Sequence, residues 1–331
     1  MNKKQGQVYK IHSDFYYVKK DNEIIECKIR EVLKKQKQQI AVGDFVEIEE
    51  NSIIKIEKRK SLIKRPYVAN IDQLLIVSAI KEPDLSFTQL NRYLIFAKIN
   101  NIDAIICFNK EDLSKDDLLD EEIKSIYEPL GYKVLFTSAL EKTGLEDLKK
   151  EMKGKLTALC GQSGVGKSSI LNALGENLNL RTKEVSQKLS RGVHTTRHSE
   201  ILDFGDYKIM DTPGFSCLKF DFILPYELGN YFDEIKQYRD KCKFKDCMHT
   251  IESKECAVVE NLDKINVSRY ESYLEFLKET LEYKEKISKI SIKKEYAHKN
   301  NLGKEMVKIS SKKRETSRKV QKQRIKNDND I

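Results

Sequence analysis

Residues 161–169 read GQSGVGKSS and follow the apolar run LTALC, a junction that leaves the chain little choice of architecture. The spacing fits GxxxxGK[ST], with Gly161, Gly166, Lys167 and Ser168 at the defining positions. Such a loop works only where a buried strand ends and a helix begins, because its glycines let successive backbone N–H groups turn toward phosphate oxygens. Lys167 is placed to neutralise the β and γ phosphates of a nucleotide, and Ser168 to give an oxygen to Mg²⁺. The expectation is a nucleotide site at the edge of an α/β sheet.

Three more apolar runs, DQLLIVSAI, DAIICFN and KVLFTSA, are separated by SFTQLNRYLIFAKIN and by a second helical stretch ending near Gly131. A third, GLEDLKKEM, leads into the run before the phosphate loop. Strands alternating with helices predict a parallel sheet covered on both faces. In open sheets of this kind ligand contacts gather beyond the carboxyl ends of the strands, and polar motifs sit at those ends here. Asn109, Lys110, Glu111 and Asp112 form NKED. The Asp112 carboxylate can accept the ring N–H and exocyclic amino protons of guanine, Asn109 can bond the O6/N7 side, and the Lys110 stem can cover the ring. Adenine presents the opposite donor and acceptor pattern and would leave that carboxylate unpaired. Ser138 and Ala139 end the next strand, where the Ala139 N–H can reach O6. DTPGF ends a later strand, so that Asp211 can hold Mg²⁺ through water and the Gly214 N–H can meet the γ phosphate. RGVHTTRHS, lying between, supplies threonines for a loop that senses both. The base-reading residues thus come before the phosphate loop, the reverse of the order in Ras-like GTPases.

Outside this unit the patterning changes. Residues 1–65 alternate apolar and polar side chains over short runs, which predicts a small OB-like antiparallel barrel of about five strands. Barrels of that kind often bind oligonucleotides, and Tyr9, Phe15, Tyr16 and Tyr17 are candidates for stacking on bases or for packing the core. Downstream, CKFKDCMHTIESKEC places Cys242, Cys247, His249 and Cys256 close together. Three thiolates and one imidazole complete a closed tetrahedral zinc shell with no position left for catalysis. Cys107 and Cys160 fall within apolar runs and are expected in the core. The net charge of +9 belongs to the end of the chain, since residues from Lys284 onward hold 16 Lys and Arg against 6 Asp and Glu. That tail is either a solvated segment or a contact for a polyanion such as RNA. No apolar run is long enough to span a bilayer and no hydrophobic segment follows the first lysines, so a cytoplasmic protein without a membrane partner is expected.

The order of barrel, NKxD, TSA, GxxxxGKS, threonine loop, DxPG and Cys-Cys-His-Cys knot resembles the RsgA (YjeQ) family of circularly permuted GTPases over about residues 1–280. The resemblance implies a multidomain α/β chain. Its expected parts are an OB-fold RNA-binding domain over 1–65, a permuted P-loop GTPase domain over 66–220, a zinc-binding helical domain over 221–285 and a basic tail over 286–331. It further implies a GTPase that acts late in maturation of the 30S ribosomal subunit, contacts 16S rRNA, is stimulated by that particle and carries one Zn²⁺, with Mg²⁺ accompanying GTP. A monomer is expected. Guanine contacts are then carried onto Asn109, Lys110, Glu111, Asp112, Ser138 and Ala139. Phosphate and Mg²⁺ contacts are carried onto Gly161, Gln162, Ser163, Gly164, Val165, Gly166, Lys167, Ser168, Ser169, Asp211 and Gly214. The switch threonine is Thr196, with Thr195 as the alternative, because Arg197 stands where the family usually has a third threonine. Phe215 occupies the place of the water-orienting glutamine of Ras-like proteins, so His194 is the candidate to orient the attacking water, the alternative being packing or RNA contact. Two competing readings remain, a permuted GTPase acting on the large subunit and an RNA-binding module that holds GTP as a structural ligand.

Overall fold

The computed structural model describes residues 4–31, 33, 38–113, 117–176, 199–212, 215, 218–294, 297–299 and 305–307. The first five strands are β1 (Lys4–His12), β2 (Phe15–Lys20), β3 (Glu23–Ile29), β4 (Phe45–Glu49) and β5 (Ser52–Ile56). They run in the order β1-β2-β3-β5-β4, and β4 pairs back on β1 from Lys4↔Ile48 to Gln7↔Phe45, which closes the barrel. Alternation decides what goes inside. In β4, Phe45 faces out while Val46 and Ile48 join Val8, Val18, Cys27 and Ile53 in the barrel core. Of the four candidate aromatics, Tyr9 is buried, with its hydroxyl donating to Asp203 at 2.8 Å.

A hairpin of β6 (Leu62–Lys64) and β7 (Tyr67–Ala69) leads into the α/β unit. There follow β8 (Gln73–Ala79), α1 (Phe87–Ile99), β9 (Asp103–Asn109), α2 (Asp117–Tyr127), β10 (Lys133–Thr137), α3 (Leu145–Met152), β11 (Leu156–Cys160), α4 (Lys167–Glu176), β12 (Glu200–Asp203) and β13 (Lys208–Asp211). The sheet order is β10-β9-β8-β11-β13-β12, parallel except for β12. Successive residues of a strand face opposite sides. Accordingly Leu74 and Ile76 of β8 pack under α1 and α2, whereas Leu75 and Val77 pack under α3 and α4. β1 also pairs with β12, at Lys10↔Glu200, so barrel and α/β sheet share one hydrogen-bonded surface.

The C-terminal unit contains a 3₁₀ segment over Pro225–Tyr231, α5 (Asp233–Arg239) and α6 (Val267–Lys294). β14 (Ala297–Lys299) pairs with β15 (Glu305–Val307). Helix α6 runs past residue 286, so the start of the expected tail is helical. No helix among the described residues is long and apolar enough to cross a membrane.

Helix α1 belongs to two cores at once, which explains why its sequence lacks a clear polar face. Leu90, Tyr93, Leu94 and Phe96 pack into the α/β core, while Ile95 and Ile99 pack into the C-terminal core. Polar groups complete that second contact. Arg269 of α6 makes a two-pronged pair with Glu234 of α5, at 2.6 and 3.2 Å, and its Nη1 donates to Asn91 Oδ1 at 2.8 Å. Tyr127 donates to the same oxygen at 3.0 Å, and Asn91 Nδ2 donates to Ser272 at 2.8 Å. Arg92 bonds Glu275 and Glu279 and stacks on Phe276, 4.4 Å from the ring centre. Removing one partner of a buried pair strands a charge in a medium that solvates it poorly. Arg269→Met should therefore cost about 3–5 kcal/mol of stability by urea unfolding, and a loss below about 1 kcal/mol would show that Glu234 finds other solvation.

Candidate functional site

The phosphate loop joins β11 to α4, as its spacing requires. At Gly161 (φ +142°) a Cβ would lie 2.1 Å from the Val77 carbonyl oxygen of the neighbouring strand, so only glycine fits there. Ser163, Gly164 and Ser169 are exposed and Gln162, Lys167 and Ser168 half-buried, while Val165 is buried in the core. The Lys167 ammonium lies across the loop and donates to the carbonyls of Gly161, at 2.9 Å, and Gln162, at 2.5 Å. Burial pushes this ammonium below the usual lysine range, with Cys160 and the Asp211 carboxylate acting in the opposite sense. Nearby phosphates would act in that same opposite sense and favour the charged form.

Asn109 ends β9 with its side chain 1 % exposed. Its Nδ2 donates to the Val165 carbonyl at 2.9 Å, and its Oδ1 accepts from the Ala139 N–H at 3.1 Å and from the Thr137 hydroxyl at 3.3 Å. Asn109 and Ala139, both expected at the O6/N7 side of guanine, are bonded to each other, and Asn109 ties the phosphate loop to the TSA segment. The contact also fixes Gly166 (φ +90°), whose Cβ would fall 2.2 Å from Asn109 Nδ2. Asp112 accepts a hydrogen bond from the Ser138 hydroxyl, which in turn accepts from the Glu141 N–H at 3.0 Å. Lys110 takes a positive φ of 66° and donates to the Glu82 carbonyl. Lys110, Glu111 and Asp112 are partly exposed, so a base can reach them. Sequence reasoning missed Thr137 and Glu82. Thr137 was legible, as the residue before Ser138 at a strand end; Glu82 was not, because only the fold brings its loop beside Lys110.

On the other side of the phosphate loop, Asp211 ends β13, two strands from the barrel. Phe215 is buried and packs edge-on against Phe96 of α1 at 5.8 Å. A phenyl ring has no group with which to orient water by hydrogen bonding. His194, Thr195, Thr196 and Gly214 lie outside the described residues.

Cys242, Cys247, His249 and Cys256 bring one donor atom each within 4.8 Å of one another. The edges are informative. With Zn–S bonds of about 2.3 Å and Zn–N bonds of about 2.0–2.1 Å, a tetrahedron has S–S edges of about 3.8 Å and S–N edges of about 3.6 Å. Cys242 Sγ and Cys256 Sγ are 3.8 Å apart, and His249 Nδ1 lies 3.6 Å from each. These separations are better read as ligand edges than as thiol hydrogen bonds. Burial, then the Arg239 charge, brings the His249 imidazole down to about 4, leaving it neutral and able to ligate. Burial pushes the Cys256 thiol up to about 12, so its thiolate needs a cation beside it. Tyr270 and Tyr273 of α6 donate to the carbonyls of His249, at 2.9 Å, and Met248, at 2.8 Å, holding the cluster against the C-terminal core. The residues fit one metal ion.

Comparison with known proteins agrees with this geometry. Residues 50–221 match the RsgA GTPase family and residues 5–53 match the RsgA N-terminal domain. The chain belongs to the RsgA GTPase family. It is similar to the small ribosomal subunit biogenesis GTPase RsgA of Caldanaerobacter subterraneus subsp. tengcongensis, 41 % identical over 291 residues, covering 85 % of this chain and 97 % of that one. Among solved structures, YjeQ from Thermotoga maritima superposes with a TM-score of 0.72 at 35 % identity, over 85 % of this chain and 99 % of that one. YloQ, described as a circularly permuted GTPase, gives 0.70 at 31 %, over 85 % and 96 %. The RsgA fold thus accounts for the strand order, and the chain is a permuted GTPase. Residues 156–294 also match a family described as 50S ribosome-binding GTPase, a stretch that takes in the phosphate loop and Asp211.

Two outcomes follow from the packing. Gly166→Ala should lower GTP affinity by about tenfold or more, about 1.4 kcal/mol, in a fluorescent-nucleotide titration; unchanged affinity would mean Asn109 can retreat without consequence. Cys247→Ser should reduce bound metal, measured by elemental mass spectrometry, to well below the single ion the intact cluster fits.

Proposed function

We propose that this RsgA-family GTPase hydrolyses GTP to GDP and phosphate when bound to the small (30S) ribosomal subunit, late in that subunit's maturation. It acts in the cytoplasm as a monomer and contacts 16S rRNA. The observation that carries the reading is the buried Asn109 link, which supports a guanine corner and phosphate loop acting as one site, in a chain whose relative is named for small-subunit biogenesis. Zn²⁺ is the ion proposed for Cys242, Cys247, His249 and Cys256, on their donor chemistry and edge lengths.

The proposed division of labour follows the geometry. Asp112, oriented by Ser138, reads guanine; Lys110, held by the Glu82 carbonyl, lays its stem over the base; Asn109 and Ala139 stiffen that corner. Glu111 flanks it. The backbone of residues 161–166 and the Lys167 ammonium take the phosphates, with Ser168, Ser169, Asp211, Gly214 and Thr196 (or Thr195) around the γ phosphate. Mg²⁺, when bound with GTP, supplies a charge that offsets the one developing on the phosphate oxygens. Because Phe215 is packed on Phe96, water must be oriented from elsewhere, and His194 is assigned that role once the particle has placed it.

Binding by the large subunit is the nearest competing reading, since one matching family carries that description. The barrel, which matches the RsgA N-terminal domain, favours the small subunit. Phosphate release with and without purified 30S subunits tests the choice. Stimulation by 30S but not by the large subunit is expected, and His194→Ala should lower stimulated single-turnover rates by about 10²-fold at normal 30S affinity. Absence of stimulation would favour an RNA-binding module with GTP as a structural ligand.

A further inference from the structure

The Asp203 carboxylate sits at the junction between barrel and α/β sheet. Asp203 Oδ2 accepts from the Tyr9 hydroxyl and from the Lys19 ammonium, both at 2.8 Å, and Oδ1 accepts from the Gly205 N–H at 2.9 Å. The Lys19 and Asp203 side chains are 24 % and 22 % exposed. On its own, burial would raise the Asp203 carboxyl; the Lys19, Gly205 and Tyr9 bonds outweigh it and hold the group below the usual carboxylate range. The Tyr9 ring lies between two ammonium groups, those of Lys19 and Lys208, each 5.4 Å from its centre. Lys208 Nζ also donates to Gln7 Oε1 at 3.2 Å. Side chains of β1 and β2 therefore grip both β12 and β13.

What those two strands carry makes the grip more than packing. β12 begins at Glu200, directly after the threonine segment, and β13 ends at Asp211. The register places Lys10 opposite Glu200 and Glu200 opposite Asp211, so a barrel residue and the DTPG aspartate lie on one line across three strands. At the other end of β12, Asp203 pairs with Lys208. β12 is held at both ends, by the backbone pairing at Glu200 and by the side-chain clamp at Asp203. A barrel that shifts on binding RNA cannot leave β12, and hence Asp211, where it was.

We infer that Tyr9, Lys19 and Asp203 are positioning residues that couple the barrel to the strand pair that ends at Asp211, so that what acts on the barrel alters the Mg²⁺ side of the site. Identifying the RNA that acts on the barrel rests on the proposed function, whereas the coupling itself does not. The clamp lies at the end of the β12–β13 pair opposite Asp211, and its action is through those two strands.

Hydrogen exchange on the full chain, with GDP or with a non-hydrolysable GTP analogue, tests the coupling without ribosomes. The peptide covering residues 4–12 should exchange at rates differing by about threefold or more between the two nucleotides, because local opening of β1 depends on what β12 is doing. Tyr9→Phe, which keeps the ring, and Asp203→Asn, which keeps the shape, should each erase that difference. Equal exchange in the two nucleotide states, or a difference that survives both substitutions, overturns the inference. A ribosomal arm separates this outcome from the parent reading: with 30S subunits the same variants should keep unstimulated hydrolysis and 30S affinity but lose about tenfold in stimulated turnover. If the unaltered chain shows no stimulation, the proposed partner is wrong and the exchange result still decides the coupling.

Discussion

One buried carboxamide holds the nucleotide site together. Asn109 sits where β9 ends, two strands away from β11, and bonds on one side to the phosphate loop and on the other to the TSA segment. Without it, the buried Val165 carbonyl loses its partner, at about 1–3 kcal/mol for a buried group left unmade, and the half-buried Ala139 N–H loses one too. It is also compatible with the permutation. The bond requires β9, β8 and β11 to be neighbours in the sheet and is indifferent to which was synthesised first.

What the permutation changes is the route out of the site. The chain leaves Asp211 and within a few residues reaches Phe215, packed on Phe96 of α1. α1 is in turn sealed to α6 by Asn91, Arg92, Arg269, Glu234, Glu275 and Glu279. A buried, two-pronged ion pair crossed by further hydrogen bonds does not behave as a hinge, since opening it would expose unpaired charge. A C-terminal unit swinging freely about the DTPG loop is therefore the wrong picture. A shift of α1 would be felt in both of its cores.

The parts of this architecture visible in the sequence are those set by local spacing. GQSGVGKSS needs a strand and a helix on either side, NKED and TSA follow apolar runs, and the cysteine knot carries its four donors within fifteen residues of chain. Alternation in residues 1–65 likewise announces a barrel. Long-range partners stayed hidden. Nothing near Asn109 in the sequence reveals its bond to Val165, and for Tyr9 the choice between stacking and core packing turns on Asp203, 194 positions away. α1 was visible as a helix but not as a double interface, for periodicity reports that a face is apolar without saying how many neighbours it meets.

The metal cluster belongs to the same account of rigidity. The C-terminal unit is short, and a unit of that size seldom closes its own core without a staple. Its core is completed partly by Ile95 and Ile99 of α1 and partly by the loop that carries His249, which is held by Tyr270 and Tyr273. Gly229 leaves just enough room for the His249 ring, with its Cβ position 3.2 Å from the imidazole. A four-donor shell with no open position cannot activate water, so an ion held there would serve to fix this loop against α6. The cluster loop and the α1 network thus both grip α6, one through the Tyr270 and Tyr273 hydrogen bonds and the other through a buried guanidinium. Stiffness at these two points, rather than flexibility between domains, is what would let a small change at the γ phosphate be felt far from it.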